Sequence, residues 1–508
     1  NMIIDASIER LLQYAQSHLL LDDLDVVYKR NVLLDLLGLK EYTVYEVEYD
    51  AIDAMETPDE VLSPIISYAL EKGIIQPGQE EYFGNKVMDI VSLTPSGIVD
   101  IFDELHESSP AKAFDWLHDY CIKNDYIKAS RIAKNKHWEA KSTKGKLEIT
   151  INLSKPEKNN KDTAKLVGAK PSGYPACMIC KENEGCANNL RQNLRTIPLE
   201  MGGEDWFWQF SPYAYFNQHG IAINGEHTPM KVDKSTVRKL LDFIDYAPST
   251  YFIGCNAALP IVGGSILTHD HFQGGGKVLP MHKATALNKY KSEDYPYIET
   301  YVLDWYNSVI RLVSTNKNML IEYAGDIIDA WKNYDDESVG IIHATDKQHN
   351  AVTPIARKCK DKNKNDAYCV ELILRNNRTD EKYPDGIFHV HPEYQNIKSE
   401  SIGLIEAMGL FILPARLDRQ LKEVQEYLIG ARKYDKKALA EDMQIHARMI
   451  EKLMKENPKC TPAEAPLIIK DEVNSVCEHI LDNTAVFKKD EEGAAAFDRF
   501  LESVGIRR

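Results

Sequence analysis

The chain has little of what a membrane or secreted protein needs. No stretch approaches the roughly 18 consecutive apolar residues of a membrane-spanning helix. The opening residues Asn1-Met2-Ile3-Ile4-Asp5 lack the basic-then-apolar pattern of a secretory leader. Positive charge is also in short supply: 61 Lys plus Arg face 77 Asp plus Glu, a formal charge of −16. That balance argues against non-specific coating of nucleic acid or anionic lipid, so a phosphate must be held by a local site. The nine cysteines are an odd set spread from Cys121 to Cys477, which is not a secreted disulfide framework. These absences point to a reduced, cytoplasmic protein with neither membrane nor nucleic-acid partners. What remains is ordinary globular composition, 44% hydrophobic and 27% charged over 508 residues. Substantial cores are possible and wholesale disorder is excluded. At about 150 residues per domain, the length suggests roughly three domain-sized units.

Residues 1 to 130 read as a helical N-terminal region, with Ile8, Leu11, Leu12 and Ala15, then Val61, Ile65, Ile66 and Ala69, at helical spacing. After Thr94-Pro95-Ser96-Gly97 breaks the pattern, helices are predicted from Ile98 to Leu105 and from Pro110 to Cys121. Residues 131 to 289 change character. Leu147 to Leu153 alternates with period two, Trp206 to Tyr215 reads as strand then turn, and Ile221 to Asn224 and Thr250 to Ala257 are strand-like. Lys234 to Tyr246 is an amphipathic helix, and the lysine-rich Lys155 to Lys165 reads as a solvated loop. Residues 290 to 417 are expected to open with a helix ending near Val313, with strands at Val339 to Ala344 and Tyr368 to Arg375. Residues 418 to 508 read as helical, apart from a break at Asn457 to Pro466. A faint repeat links the two central blocks. Asn256 stands fifteen residues before His271, and Asn376 fifteen before His391, which suggests duplication of a strand-turn-strand unit.

The strongest local signal is Gly263-Gly264-Ser265-Ile266-Leu267-Thr268-His269-Asp270-His271-Phe272-Gln273-Gly274-Gly275-Gly276. On a strand, His269, His271 and Gln273 share a face, with Asp270 and Phe272 on the other. Clustered imidazoles suit either a metal or nucleophilic attack on a phosphorus or carbonyl centre. The glycines allow backbone amides to approach an anion. The bland alternative is an internal strand with satisfied histidines. Cys177 and Cys180, in Cys177-Met178-Ile179-Cys180, have the spacing that grips one ion, with a redox pair or two unrelated thiols as rivals. Arg191, Arg195 and Arg357 are candidates for phosphate because the guanidinium is a fork of donors. A surface helical face is the alternative for Arg191 and Arg195.

The His-x-His-x-Gln pattern resembles the signature of the transferase branch of the histidine-triad superfamily. The run from Asn256 to Gly275 is similar to the second class of galactose-1-phosphate uridylyltransferases, the long form of many Gram-positive bacteria. So are Tyr383 to Lys398, Ile402 to Arg416, Ser211 to Tyr215 and His349 to Arg357. The resemblance implies an α+β fold of two histidine-triad-like antiparallel-sheet halves with helical N- and C-terminal extensions, and a homodimer. It implies exchange of UMP between UDP-glucose and galactose 1-phosphate in two steps through a uridylyl-histidine. His271 matches the nucleophile and Gln273 the amide donor to a phosphoryl oxygen. Asn256 and Ser265 match positions that contact the nucleotide phosphates, beside Gly264.

By the same resemblance, Cys177, Cys180, His227 and His269 are the ligands of a structural zinc, while no organic cofactor is implied. His389 and His391 are a metal site, a substrate contact or a relic of duplication. Glu406 is either a carboxylate for sugar hydroxyls or a solvated helix position. The shorter class of the family has proline where Asp270 stands, and strand alternation turns that acid away from the nucleophile. The alternatives are a superfamily transferase or phosphorylase acting on a dinucleoside polyphosphate, and a zinc-stabilised binding module without catalysis.

Overall fold

A computed structural model describes residues 3–154, 173–187 and 190–508. The lysine-rich stretch Lys155 to Lys165 lies outside these residues. Helices fill the chain from Ile4 to Ile132, the longer ones being Ile4–His18, Val26–Leu37, Asp59–Glu71, Glu80–Val91, Pro95–Ser108 and Pro110–Lys123. The expected break at Thr94 is the start of the Pro95–Ser108 helix, with Pro95 in its first turn, where proline's missing N–H costs nothing.

Fourteen strands follow among the described residues. They are β1 (Lys136–Ser142), β2 (Gly145–Ile151), β3 (Ile197–Met201), β4 (Glu204–Phe210), β5 (Gly220–Asn224), β6 (Phe252–Gly254), β7 (His271–Gly275), β8 (Ala286–Ser292), β9 (Glu299–Leu303), β10 (Val309–Ser314), β11 (Asn350–Lys360), β12 (Asp366–Asn376), β13 (Leu410–Leu413) and β14 (Ile506–Arg507). Eleven of them form one sheet in the order β14-β8-β9-β10-β12-β11-β6-β7-β5-β4-β3. The class is α+β, as expected.

The sheet is a duplication. β3, β4, β5, the helix Lys234–Tyr246, β6 and β7 are followed by β8, β9, β10, the helix Lys317–Lys332, β11 and β12. Each set is woven in the same order, and the two meet where β6 pairs antiparallel with β11 through Gly254–Ile355, Ile253–Ala356 and Phe252–Arg357. The repeat is real, but the marker residues are not equivalent in it. Asn256 follows β6 whereas Asn376 ends β12, and His271 opens β7 whereas His391 lies in a loop before the short 3₁₀ turn Pro392–Tyr394.

Local chemistry explains most elements. The Lys234–Tyr246 helix starts with a capping box, in which Asp233 accepts from Ser235 N–H at 2.8 Å and Thr236 Oγ1 accepts from Asp233 N–H at 3.0 Å. β12 is buried on both faces over Cys369–Asn376, as a central strand is, with Val370, Leu372, Ile373 and Leu374 as its apolar side chains and Glu371 and Arg375 buried among them. The helix expected to end near Val313 is instead β8, β9 and β10, and the helix of this block begins at Lys317 under an Asn316 cap. Thr300, Tyr301, Val302, Val309, Ile310 and Val313 are β-branched or aromatic residues that favour a pleated surface. At Val339 to Ala344 the expected strand is a 3₁₀ turn ended by Gly340 at φ 75°, then isolated bridges.

Cross-strand partners share a face. One face of the sheet carries Phe272, Ile253, Ala356, Val370 and Leu372, which pack with the two repeated helices and the N-terminal helices in one core. The registers place His271, Gln273, Gly254, Ile355, Arg357, Glu371 and Arg311 on the other face. Phe252, Ile355 and Ile373 there join a second core under the small sheet β1-β2-β13 and the C-terminal helices. The helices over that second core are Arg416–Leu428, Ala447–Glu456 and Ala465–Thr484, whereas Glu491–Ser503 packs in the first core.

Candidate active site and metal centre

His269 and His271 have their protons placed by the main chain. The His269 ring sets Nε2 2.8 Å from the carbonyl of Asn224. A carbonyl only accepts, so Nε2 carries the proton and Nδ1 is bare. The His271 ring sets Nδ1 2.7 Å from the carbonyl of His269, which leaves its Nε2 with the free lone pair. His271 is 7% exposed. Burial holds its pKa below the ordinary histidine value, against the opposing effect of the carbonyl. A neutral imidazole with one nitrogen tethered and the other bare is a nucleophile at neutral pH.

The bare Nδ1 of His269 lies 3.3 Å from Cys177 Sγ and 3.5 Å from Cys180 Sγ, with the two sulfurs 3.4 Å apart. With His227, whose ring centroid is 4.5 Å from that of His269, the four ligand atoms lie within 4.8 Å of one another. Among the described residues this is the one group of three or more such donors able to hold a metal ion. Two soft sulfurs and a lone-pair nitrogen converging on one point fit a tetrahedral cation. The Asn224 carbonyl behind His269 is the outer partner that fixes a ligand ring.

His269 precedes β7 and the strand proper begins at His271. Alternation holds around it nevertheless. Phe272 stacks on Trp206 at 4.5 Å, in the helix-side core. The nearby cations that act on Asp270 are Lys239, from the Lys234–Tyr246 helix, and Lys231. Asp270 is 2% exposed. Burial raises its pKa to about 6, and its Oδ1 has no hydrogen-bond partner. Gln273, on the face of His271, places Oε1 3.2 Å from Nε2 of His219. Tyr215 and Phe216 pack on that histidine with ring centroids 4.9 and 4.7 Å away. Two cavities of about 430 and 400 Å³ share His137, Tyr215, Phe216 and Asn217 as walls.

Asn256 is buried and its Oδ1 accepts from Leu404 N–H at 2.8 Å. A Cβ on Gly264 would sit 2.9 Å from Asn256 Nδ2, so glycine is what lets this turn close on the amide. Ser265, the next residue, is exposed. The loop of the second half meets this turn, since Asn377 Nδ2 donates to Pro260 O at 3.2 Å. In that loop His389 is buried with Nε2 3.4 Å from Ser399 O. His391 holds Ile387 O at 2.8 Å and stacks on Tyr383 at 4.0 Å. Glu406 is not a solvated helix position: it is 7% exposed and paired with Lys398 Nζ at 2.6 Å.

The structure does not bring Arg195 to this group. The residue is 3% exposed, and its guanidinium donates to Leu93 O at 2.7 Å, Leu194 O at 2.8 Å and Asp89 Oδ1 at 2.8 Å, fastening the N-terminal helices to the sheet. Arg191 binds Tyr126 Oη at 3.1 Å and Gln209 Oε1 at 3.3 Å. Arg357 lies on the face of His271 but donates to buried Glu371 at 3.0 Å. Sequence reasoning missed His219 and Lys398. His219 has no motif spacing to His271, and its role emerges only from the register that sets Ile221 opposite Gln273.

Two family models match the chain: the galactose-1-phosphate uridyl transferase N-terminal domain over residues 20–229 and the C-terminal domain of the same name over residues 242–448. Relatives named galactose-1-phosphate uridylyltransferase are similar along the full length. The protein of Caldanaerobacter subterraneus subsp. tengcongensis is 40% identical over 516 residues, covering 99% of this chain and 98% of its own. That of Clostridium acetobutylicum is 40% identical over 508 residues, covering 98% and 99%. That of Bacillus subtilis is 40% identical over 517 residues, covering 100% and 99%. No solved structure matches the chain. No helix among the described residues is long and apolar enough to cross a membrane.

Proposed function

The chain belongs to the galactose-1-phosphate uridylyltransferase family, and from that membership we propose that it exchanges UMP between UDP-glucose and galactose 1-phosphate through a covalent uridylyl-His271. The observation that carries the covalent step is the His271 ring, with Nδ1 tethered to the His269 carbonyl at 2.7 Å and Nε2 bare. In the first half-reaction the Nε2 lone pair attacks the α-phosphorus. The bond from phosphorus to the glucose 1-phosphate oxygen breaks, and glucose 1-phosphate leaves with that electron pair. The carbonyl of His269 holds the Nδ1 proton throughout and steadies the positive charge that develops on the ring. In the second half-reaction a phosphate oxygen of galactose 1-phosphate attacks the same phosphorus and Nε2 departs. Splitting one displacement into two similar ones lowers the barrier of each.

Gln273, on the same face, supplies an amide hydrogen bond to the phosphoryl oxygens, an interaction that strengthens as charge develops. The turn built by Asn256, Gly264 and Ser265 and the loop bearing His389 and His391 border the site. The cavities beside Tyr215 and Phe216 offer room for a nucleotide, and the Lys398–Glu406 pair offers both signs of charge to a sugar phosphate. Cys177, Cys180, His227 and His269 would hold zinc, which supplies cross-linking rather than reactivity here: it would anchor the residue whose carbonyl tethers His271. We read the assembly as a homodimer.

The test is labelling. UDP-glucose carrying radiolabel in its uridylyl group, incubated alone with the protein, is expected to leave an acid-labile label on wild type and none on His271→Ala. Wild-type protein that stays unlabelled, or His271→Ala that still exchanges, refutes the covalent assignment.

A further inference from the structure

A glutamine amide has a donor end and an acceptor end, and transfer needs the donor end toward the phosphoryl oxygens. Nothing in Gln273 itself decides between the two. The surroundings do, through His219. The Tyr215 backbone N–H donates to Nδ1 of His219 at 3.3 Å. A backbone N–H can only donate, so Nδ1 is bare and the ring proton sits on Nε2. That proton points at Gln273 Oε1, 3.2 Å away. Oxygen is thereby held at the His219 end and the NH2 group is turned away from it. Among the described residues no protein acceptor bonds that NH2 group, so it is free for a ligand.

The histidine is itself firmly seated. It is 4% exposed and packed between Tyr215 and Phe216. Its own N–H donates to Phe216 O at 3.1 Å and its carbonyl accepts from Ser211 N–H at 2.9 Å. The residue before it, Gln218, has φ 57°, a left-handed conformation that non-glycine residues rarely adopt. Gln218 is pinned there by its side chain, which donates to Asp115 at 2.6 Å and accepts from the Tyr251 hydroxyl. The strained main chain delivers the ring to Gln273. Burial also pushes the ring's pKa down to about 4, so it stays uncharged at neutral pH.

We propose that His219 is a positioning residue for uridylyl transfer: it fixes the polarity of the Gln273 amide through a one-way relay from Tyr215 N–H to His219 to Gln273. The proposal rests on the function given above for Gln273. A double-variant cycle on the half-reaction tests it. Gln273→Ala is expected to lower kcat about 100-fold or more, the loss typical of a transition-state donor. His219→Phe is expected to lower kcat about 10-fold or more with KM little changed, because Gln273 then loses the partner that anchors its oxygen and the NH2 group is no longer held at the phosphoryl oxygens. In the double variant the second change adds nothing, within about twofold. His219→Gln, which can donate from near the Nε2 position, is expected to recover most of the rate. Losses that multiply in the double variant would overturn the proposal.

A second measurement does not depend on turnover. Ring nitrogen-15 NMR of the full-length wild-type protein should show one histidine, identified by its loss in His219→Phe, with Nε2 protonated and Nδ1 bare. A ring protonated on Nδ1 overturns the relay. Failure of the uridylyl-transfer reading would show separately, as wild-type protein that takes no label from UDP-glucose.

Discussion

Glu371 offers a prediction whose size follows from the structure. Its carboxylate is fully buried on the His271 face of the sheet. Arg311 Nη2 lies 2.9 Å from one oxygen and Arg357 Nε 3.0 Å from the other. His282 stands 3.9 Å away, with a pKa that burial lowers to about 4. Burial raises the Glu371 pKa, but Arg357 and Arg311 outweigh it and bring it from 4.5 to about 2. A drop of that size corresponds to about 3 kcal/mol of folding stability. The sign follows from proton counting. The unfolded chain binds the proton more readily, so the contribution is complete above the unfolded value of 4.5 and is lost as pH falls toward 2. By pH 3 more than half of it is gone. Replacing Glu371 with Gln also leaves two guanidinium groups facing each other without a counter-charge. At pH 7 the variant is therefore expected to unfold with about 3 to 5 kcal/mol less free energy than wild type. Urea unfolding of both proteins between pH 7 and pH 3, followed by tryptophan fluorescence, measures the gap. It should narrow as the solution is acidified. A gap that stays constant over that range refutes the argument, because it would mean that Glu371 gains no special preference for its charged form on folding.

Cys177→Ser or Cys180→Ser is expected to remove the bound metal, about one ion per wild-type chain by elemental analysis, and to lower thermal stability; wild-type protein that is fully active without metal would count against the cluster's role. Asp270→Asn is expected to stabilise the fold by up to about 3 kcal/mol at pH 7.5, because burial raises the acid from 3.8 to about 6 and the folded state is penalised increasingly as pH climbs through that interval. The gain should vanish below pH 4, and exchange should persist; lost exchange would make the acid part of the chemistry. Arg195→Ala is expected to cost about 1 to 3 kcal/mol of stability through its lost buried bonds, with little change in KM; a large rise in KM would return it to the substrate site.

Local signals were legible where one residue type decides the outcome. The Lys234–Tyr246 helix is present over its expected span because amphipathic spacing and the Asp233 cap agree. The Cys177, Cys180, His227 and His269 cluster assembled from parts up to 92 residues apart, though spacing alone suggested only the first two. Long-range pairing was not legible. β8 to β10 carry apolar residues that also satisfy helical spacing, and only the ladder that runs from β8 through β9 and β10 to β12 selects the strand. Arg195 and Arg357 looked like phosphate ligands because a guanidinium suits phosphate. It suits a buried carbonyl or carboxylate equally well, and sequence does not say which partner is near. His219 was invisible for a related reason: its partner lies across a ladder, not along the chain.

Peptide carbonyls, not side chains, determine the proton positions of His269 and His271. No amino-acid exchange deletes a carbonyl, so the surrounding residues can drift widely in evolution while the reactive nitrogen keeps its lone pair. The vulnerability lies elsewhere, in insertions or deletions. One extra residue between Asn224 and His269 that slid β5 past β7 would misdirect the protons and disable the enzyme while leaving every functional side chain in the gene.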